Sequence, residues 1–265
     1  HYLVAAAGPD AGGAYARLLR SVDVSCGPNC RFIAGEGLDN DVLRWTAQWS
    51  LYDPDNLLSI KWRGGLIDQS GQSGQCNSTV IPNAATWPGA RPGTSVTTDG
   101  LYLIGYVKDP ATDIYYIAVS LVDIDGLKTY AGKHWQSAGG DSALFVSGAQ
   151  DIHIRNSEFT GNRDCAIYHS ELPNGEILGN SVHIHHNTFR SCHWGAAAKR
   201  LPSGLSIHDN IGINTPQVIV VSGLTGDTGS GGSVHSNQGF NAFEVVRLDD
   251  VSEMSAFNNK SYNHG

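Results

Sequence analysis

A short motif that recurs through the second half of the chain constrains the fold more than any other feature of the sequence. Each copy alternates apolar and polar residues, which is the period of a β-strand and not of a helix. The copies are DIHIRNSEF from Asp151, SVHIHHNTF from Ser181, GLSIHDNIG from Gly204, GSVHSNQGF from Gly232 and MSAFNNKSY from Met254. Their aligned apolar residues are 30, 23, 27 and 22 positions apart. A unit repeated at this interval predicts a solenoid, in which each coil packs only against its neighbours.

Every copy also carries a polar residue three positions after the aligned apolar one. These residues are Ser157, Asn187, Asn210, Asn237 and Asn259. Asparagine side chains stacked one per coil can hydrogen-bond to one another along the stack and so satisfy polar groups that turn inward at a bend. We therefore expect an asparagine ladder at one corner of the coils.

A second apolar segment lies between successive copies of the motif. Its examples are GDSALFVSG from Gly140, RDCAIYHSE from Arg163, CHWGAAAKR from Cys192 and TPQVIVVSG from Thr215. Connectors of Gly, Asn, Asp and Ser separate the two kinds of segment. The sequence therefore predicts an all-β fold: one single-domain right-handed parallel β-helix, with two strands per coil and five coils from about residue 139.

The earlier part of the chain has a less regular pattern. We expect an N-terminal cap over residues 1–35, irregular early coils over 55–138 and regular coils over 139–265. The segment ARLLRSVDV, residues 16–24, is the one candidate for an amphipathic helix. A solenoid needs a cap over its open end, so we predict an N-terminal capping helix there.

Composition narrows the range of partners. The net charge of −8 makes nucleic acid an unfavourable partner. No apolar run approaches the ~18 residues of a membrane span, so we expect no membrane partner. Only 16% of the residues are charged and 32 are glycines, which suits a β solenoid with many tight turns. We expect a monomer whose substrate is a polysaccharide, anionic by preference.

Cysteines and glycosylation sequons favour a secreted, extracellular protein. The CGPNC segment predicts a disulfide across a turn, Cys26–Cys30, because no second pair of closely spaced cysteines, as in CxxC, is present to complete a zinc site. Cys165 and Cys192 fall on adjacent coils, either as a second disulfide or as small buried thiols. Sequons begin at Asn77 and Asn259.

Strand alternation assigns the faces of the second segment. Its inward row is Leu144, Ile167, Ala196 and Ile219, and its outward row is Phe145, Tyr168, Ala197 and Val220. Lys199 lies two residues further along the outward face. Adjacent coils are ~4.8 Å apart, so Tyr168 and Lys199 are within reach of one ligand. His169 should point into the core.

The histidines concentrate on the outward face of the repeated motif. His153 and His183 share one column, and Arg155, His185 and His208 share the next. Three interpretations stay open for this face: a solvated polar surface, a metal site of three histidines, or a surface that binds carbohydrate or transfers protons. We include all five residues as candidate substrate-binding groups.

A third set of candidates precedes the second strand. Asp141, Asp164 and His193 share this position in successive coils. Two aspartates stacked one coil apart can bind Ca²⁺, which makes Ca²⁺ a possible cofactor, or they can form a catalytic pair. Aspartates also cap turns, and this third interpretation stays open.

Two stretches resemble known β-helix proteins. The opening HYLVAAAGPDAGGAYARLLRSVDV…CRFIAGEG resembles the N-terminal entry of secreted right-handed β-helix proteins, and HWGAAAKRLPSGLSIHDNIGIN (193–214) is similar to a coil of family 9 polysaccharide lyases, the pectate lyases. The resemblance implies a carbohydrate-active enzyme with Lys199 as its base. It does not extend to that family's calcium site, because Trp194 stands where the family has Asp, and TPQVIVVSG lacks the expected aspartates.

The leading hypothesis is therefore a polysaccharide lyase that cleaves a uronic-acid polymer by β-elimination. This reaction needs a base for the C5 proton, a cation for the C6 carboxylate and an acid for the leaving oxygen. Lys199 is the candidate base, provided that Arg200 lowers its pKa. Arg200 or Arg155 would neutralise the carboxylate. Tyr168 or His193 would protonate the leaving oxygen.

Two alternatives stay open. A glycoside hydrolase would use Asp141 and Asp164, and a carboxyl separation near ~5 Å would indicate retention of configuration. A non-catalytic carbohydrate-binding solenoid would use the same outward aromatic residues as sugar platforms. The products separate these possibilities, since only a lyase generates unsaturated ends that absorb ultraviolet light.

Overall fold

Three long parallel sheets make up the structure, a computed structural model that describes residues 14–17, 21–26, 30–34, 41–71, 99–131, 142–162, 164–170, 181–199, 204–223 and 231–263. Each sheet has eight strands, and each coil contributes one strand to every sheet. The predicted parallel solenoid is thus confirmed. It has eight coils, and each coil has three strands where two were predicted. No helix in the described ranges is long and apolar enough to cross a membrane.

The strands are numbered in chain order and grouped by sheet. Sheet A contains β1 (Ala14–Arg17), β4 (Leu43–Thr46), β7 (Leu101–Ile104), β12 (Leu144–Ser147), β15 (Cys165–Ser170), β18 (Trp194–Lys199), β21 (Gln217–Ser222) and β24 (Glu244–Asp249). Sheet B contains β2 (Val22–Ser25), β5 (Leu58–Arg63), β10 (Val119–Asp125), β13 (Ala149–Arg155), β16 (Ser181–His185), β19 (Gly204–His208), β22 (Gly232–His235) and β25 (Met254–Phe257). Sheet C contains β3 (Arg31–Ile33), β6 (Leu66–Asp68), β11 (Lys128–Tyr130), β14 (Glu158–Thr160), β17 (Thr188–Arg190), β20 (Ile211–Ile213), β23 (Gln238–Phe240) and β26 (Lys260–Tyr262).

Sheet C consists of the third strand of each coil, which the sequence prediction missed. Its members are three residues long, and in the late coils they follow the ladder column directly, as Thr188–Arg190 follows Asn187. Three residues are too few to show a two-residue period above chance. Each member becomes a strand because it pairs with the equivalent residues of the coils before and after it.

The predicted capping helix over residues 16–24 is wrong. Ala14–Arg17 and Val22–Ser25 are strands that pair in parallel with β4 and β5, so the first coil belongs to the solenoid. Side chains in Val22–Ser25 alternate between half-buried and exposed, which is strand period. Hydrogen bonds from the next coil decide the outcome, because a nine-residue segment is too short to be a stable helix by itself. Arg31–Ile33, within the predicted cap over residues 1–35, is likewise a strand of the solenoid, and residues 1–13, 18–20, 27–29 and 35 lie outside the described residues.

The core is a set of aliphatic columns that run along the solenoid. The column through sheet B holds Ile124, Ile154, Ile184, Ile207 and Val234, all fully buried. The inward row predicted for sheet A is buried as well, and His169 lies fully buried beside it. Full burial of one such side chain contributes about 1.5–3 kcal/mol, so the repeated column stabilises the coil stack directly.

The asparagine ladder is confirmed. Asn187 Nδ2 donates to Ile154 O at 2.9 Å and to Asn210 Oδ1 at 3.1 Å, and Asn187 Oδ1 accepts the amide of Ser157 at 3.1 Å. The same bonds recur one coil later at Asn210 and again at Asn237. The residue before each ladder member has a positive φ. These residues are Asn156, His186, Asp209, Ser236 and Asn258.

An antiparallel hairpin interrupts the early coils. It consists of β8 (Tyr106–Lys108) and β9 (Tyr115–Ile117) and lies between the sheet A and sheet B strands of one coil. A single 3-10 turn, Trp49–Leu51, occupies the equivalent connection one coil earlier. Both insertions therefore lie at the connection that leads from a sheet A strand to the next sheet B strand.

The four cysteines that the structure describes are of two kinds. Cys26 and Cys30 form the predicted disulfide. Cys165 and Cys192 are free and buried, so they are the buried thiols and not a second disulfide. Burial raises the pKa of the Cys192 thiol to about 11. The two side chains face different environments: Cys192 packs in the main core and Cys165 in a smaller cluster outside it.

Candidate functional site

The structure divides the candidate residues between two surfaces. Tyr168 and Lys199 lie on sheet A, with His193 directly before β18, and we call this the Lys199 surface. The residues on sheet B form the histidine surface, which comprises His153, Arg155, His183, His185 and His208. Because they occupy different sheets, the two sets do not form one site. Arg200 and Asp141 lie outside the described residues.

Lys199 closes an aromatic pocket on the outer face of sheet A. Its Nζ lies 5.2 Å from the ring centre of Tyr168 and 5.1 Å from that of Trp194. Lys199 ends β18 and pairs with Ser170 and Ser222 on the neighbouring coils. Among the described residues no carboxylate lies within 4.0 Å of its ammonium group. The ammonium group instead faces the rings of Tyr168 and Trp194.

A column of stacked rings extends from this pocket toward the early coils. Tyr168 stacks on Phe145 at 5.4 Å, and Phe145 stacks on Tyr102 at 4.8 Å. The guanidinium of Arg44 covers the far side of Tyr102 at 4.9 Å. The outward row predicted from alternation is therefore present, and cations cover both ends of the ring stack from Tyr102 to Tyr168. Ala197 and Val220 continue the row but are buried in the small cluster with Cys165.

His193 adjoins the pocket at the start of β18. Its ring stacks on Trp194 at 5.4 Å. Burial lowers the pKa of His193, and the nearby charge of Asp164 opposes that shift only in part. The imidazole is therefore neutral near pH 7 and can accept a proton. Asp164 precedes β15 at the equivalent position, and its carbonyl accepts the amide of Trp194 at 2.8 Å.

The first column of the histidine surface contains a carboxylate as well as two imidazoles. His153 and His183 stack at 4.7 Å with 9° between their planes. Asp151 Oδ2 lies 3.0 Å from His153 Nε2, and Asp151 Oδ1 lies 4.0 Å from His183 Nε2. Burial raises the pKa of Asp151, but hydrogen bonds from Ser181 and His153 outweigh it, so that the pKa is lowered. Burial lowers the pKa of His183.

The second column is a longer stack of imidazoles. His185, His208 and His235 follow one another at 4.9 Å per step, as the alignment predicted for His185 and His208. Burial lowers the pKa of His185 to about 4, and the neighbouring His208 and His186 contribute. His186 has φ of 55° at the bend, so the triple-histidine run divides between a sheet face and a corner.

Arg155 continues this second column but is already paired. Its Nη1 lies 2.8 Å from Asp123 Oδ1, and its Nε lies 3.2 Å from Asp125 Oδ2. Arg63, on the coil that precedes Asp123, also pairs with Asp123. Two carboxylates therefore occupy the guanidinium that the lyase hypothesis offers to a substrate carboxylate.

Sequence reasoning missed a pair of buried carboxylates at the corner before sheet A. Asp41 Oδ1 accepts the amide of Asp99 at 2.9 Å, and Asp99 Oδ1 accepts the amide of Ser142 at 2.9 Å. Burial raises the pKa of Asp41 to about 6, although its ion pair with Arg44 at 2.6 Å opposes the shift. The sequence did contain a pattern that could have predicted this pair, because Asp41 and Asp99 each stand two positions before the leucine that begins a sheet A strand. This corner lies between sheets C and A, whereas the asparagine ladder lies between sheets B and C.

A second missed feature is an aromatic cluster at the connections between the sheet A and sheet B strands. Trp49 stacks on Tyr52 at 5.5 Å, and Tyr116 from the hairpin packs against both rings at 5.7 and 5.5 Å. Trp49 is 38% exposed. The connectors gave no periodic signal, so only the pairing of coils brings the three rings together.

Comparison with known proteins adds no identity: no family model matches the chain, and neither a curated protein nor a solved structure matches it. The protein is an all-β parallel solenoid that carries one aromatic–cationic surface and one histidine-rich surface.

Proposed function

We propose that the protein is a secreted carbohydrate-active enzyme, a polysaccharide lyase that cleaves a uronic-acid polymer by β-elimination at the Lys199 surface. The observation that carries the proposal is the Lys199 ammonium between the rings of Tyr168 and Trp194. A cation beside ring faces fits a sugar acid, because pyranose C–H groups pack on rings while the carboxylate meets the charge.

The environment of Lys199 suits the role of carboxylate neutraliser better than that of base. Ring faces stabilise the charged ammonium, whereas a base must lose its proton. Neutralising the C6 carboxylate acidifies the C5 proton, which is the hardest requirement of the elimination. Lys199 therefore takes the part that the sequence hypothesis gave to an arginine.

His193 is then the better base. Its pKa is lowered by burial, so its neutral form predominates near pH 7 and can accept the C5 proton. Tyr168, whose ring also faces Lys199, keeps the role of acid for the leaving oxygen. The order His193, Trp194, Lys199 and Tyr168 follows one continuous surface of ring contacts.

Two further features support a polysaccharide as the substrate. The stacked rings from Tyr168 to Tyr102 follow the solenoid axis for several coils, and the cluster around Trp49 adds exposed aromatic surface at the same edge. A chain of sugars needs contacts spaced along its length, which a solenoid supplies. The Cys26–Cys30 disulfide suits an extracellular location.

The decisive measurement is ultraviolet absorbance of unsaturated uronates on a panel of pectate, alginate, glucuronan and glycosaminoglycans, with and without chelator. We expect a rise on one polymer, reduced by at least about 100-fold in Lys199→Ala and in His193→Gln. Lys199→Arg should keep activity within about tenfold, because it retains the charge. Lys128→Ala, an exposed position on sheet C, is the matched control.

The outcomes separate the roles and the rival functions. If Lys199→Arg is as inactive as Lys199→Ala, lysine is the base and the assignment to His193 is wrong. A flat trace on every polymer rejects the lyase, and new reducing ends would then indicate a hydrolase using Asp164. Binding without any cleavage would indicate a carbohydrate-binding solenoid. Loss of activity with chelator would establish a metal requirement, for which Ca²⁺ is the first ion to restore.

A further inference from the structure

We propose that Asp151, His153 and His183 form a binding site for one divalent transition-metal ion of the zinc class, on the histidine surface and independent of the Lys199 surface. The site joins two adjacent coils. Asp151 and His153 are two residues apart on β13, so they project from the same face, and His183 on β16 pairs directly with His153.

The three ligand atoms converge on one point. One ligand atom from each residue, a carboxylate oxygen of Asp151 and an imidazole nitrogen of each histidine, lies within 4.8 Å of the other two. The shortest separation, 3.0 Å between Asp151 Oδ2 and His153 Nε2, already matches the ~3.3 Å between ligand atoms around a tetrahedral ion with bonds of about 2.0–2.1 Å. The longest separation must shorten by up to about 1.5 Å, and rotation of the stacked rings about χ2, which is a broad torsion in histidine, brings the nitrogens closer.

The chemistry of the donors selects the ion. Two imidazole nitrogens and one carboxylate oxygen suit zinc, nickel or copper, whereas Ca²⁺ and Mg²⁺ prefer oxygen donors alone. Side-chain exposure is 28% for His153, 42% for Asp151 and 37% for His183. Solvent can therefore reach the ion and supply the remaining ligand.

A hydrogen bond orients the carboxylate. Ser181, the partner of Asp151 across the two strands, donates from Oγ to Asp151 Oδ1 at 2.7 Å. Residues that hold a ligand in this way tune metal affinity, so Ser181 is a positioning residue of the proposed site. Throughout the described ranges, no other trio of His, Cys, Asp or Glu side chains brings its ligand atoms this close together.

The second histidine column provides the matched comparison. His185 Nδ1 contacts His186 at 2.7 Å, and His208 Nδ1 contacts Asp209 at 2.8 Å, each one residue away along the chain. These contacts are local pairs and not a converging trio. His208→Gln removes an imidazole of the same surface without touching the proposed ligands.

Calorimetric titration of the whole chain, freed of metal by chelation and dialysis, tests the proposal with ZnCl₂, NiCl₂, CaCl₂ and MgCl₂ as the probes. We expect one Zn²⁺ per chain and no saturable binding of Ca²⁺ or Mg²⁺ at the same site. Asp151→Asn and His183→Gln should each weaken Zn²⁺ binding by at least about tenfold, and Ser181→Ala by about tenfold. His208→Gln should bind as the wild type does.

A spectroscopic readout protects against misfolded variants. The Co²⁺ form of the wild type should show visible absorption of a four- or five-coordinate ion, lost in His153→Gln while far-ultraviolet circular dichroism stays unchanged. Zinc should also raise the melting temperature of the wild type and not that of His183→Gln. Zinc binding that survives in Asp151→Asn and His183→Gln, or disappears in His208→Gln, would overturn the site. So would the absence of saturable binding.

Discussion

The early and late coils share one backbone plan but stabilise it with different chemistry. The early corner before sheet A uses buried carboxylates, Asp41 and Asp99, and the early face of sheet B carries Arg63 and Asp123. The late coils use the neutral amides of the asparagine ladder at one corner. Their sheet B face is built of stacked imidazoles.

The difference teaches that a solenoid needs hydrogen-bond acceptors at fixed intervals and does not need a particular residue to supply them. A carboxylate oxygen can accept the backbone amide of a neighbouring coil, as an asparagine oxygen does. Only the asparagine can also donate, so only the late ladder links successive side chains. Carboxylates and imidazoles titrate, whereas amides do not. The stability of the two regions should therefore respond differently to mutation and to pH.

The largest effect should follow interruption of the late ladder. Asn210→Ala removes the acceptor of the Asn187 amide and the donor to Ile184 O, leaving buried polar groups without partners. We expect a loss of about 3–5 kcal/mol in the free energy of unfolding, measured with urea. Asn56→Ala, which removes one exposed hydrogen bond to Asp53, is the control. Equal losses in both variants would contradict a special role for the ladder.

The early corner should show a pH dependence of its own. The pKa of Asp41 is about 6 in the folded chain against 3.8 as the ordinary value. Its raised pKa means that the stability it contributes is complete below pH 3.8 and is lost as the pH rises through 6. Asp41→Asn should therefore gain about 2 kcal/mol relative to the wild type between pH 4 and pH 7. A difference that stays constant with pH would show that Asp41 does not titrate in this range.

Arg155 marks the junction of the two regions, where the arginine–aspartate column gives way to histidines. Arg155→Met keeps much of the aliphatic stem but leaves Asp123 with Arg63 alone. We expect a loss of about 1–2 kcal/mol in urea unfolding. Arg190→Met breaks an exposed pair with Glu158 and should cost no more than about 0.5 kcal/mol. Similar values for the two variants would place the Arg155 pair among ordinary surface ion pairs.

The smallest effect should come from the late imidazole column, with the opposite sign to Asp41. The pKa of His185 is lowered by burial and by His208, to about 4 from 6.5. Stability is therefore lost as the pH falls from 6.5 toward 4, because the unfolded chain takes up the proton first. After solvent screening of this half-exposed group, His185→Gln should gain no more than about 1 kcal/mol relative to the wild type over that range. Unfolding with chelator present excludes metal binding, and a relative gain toward neutral pH would contradict the prediction.

The candidate site was predictable in parts. Strand alternation placed Tyr168 and Lys199 on one outward face, because side-chain direction in a strand follows from position alone. The partners of those side chains were not predictable. Trp194 contacts Lys199 because side chains lean along the strand. Asp123 pairs with Arg155 because the pairing of coils joins residues about 30 positions apart. Asp41 and Asp99 were missed because the early coils vary too much in length to align by eye.

The sequence by itself determined the solenoid, the register of the late coils, the asparagine ladder and the Cys26–Cys30 disulfide. Each of these follows from a repeat or from residues close in the chain, so local period and spacing are sufficient. Only the tertiary structure decided that residues 14–17 and 22–25 are strands, that sheet C exists and that Asp151 meets His153 and His183. Those outcomes depend on hydrogen bonds and side-chain contacts between coils, and the neighbouring coil supplies half of each.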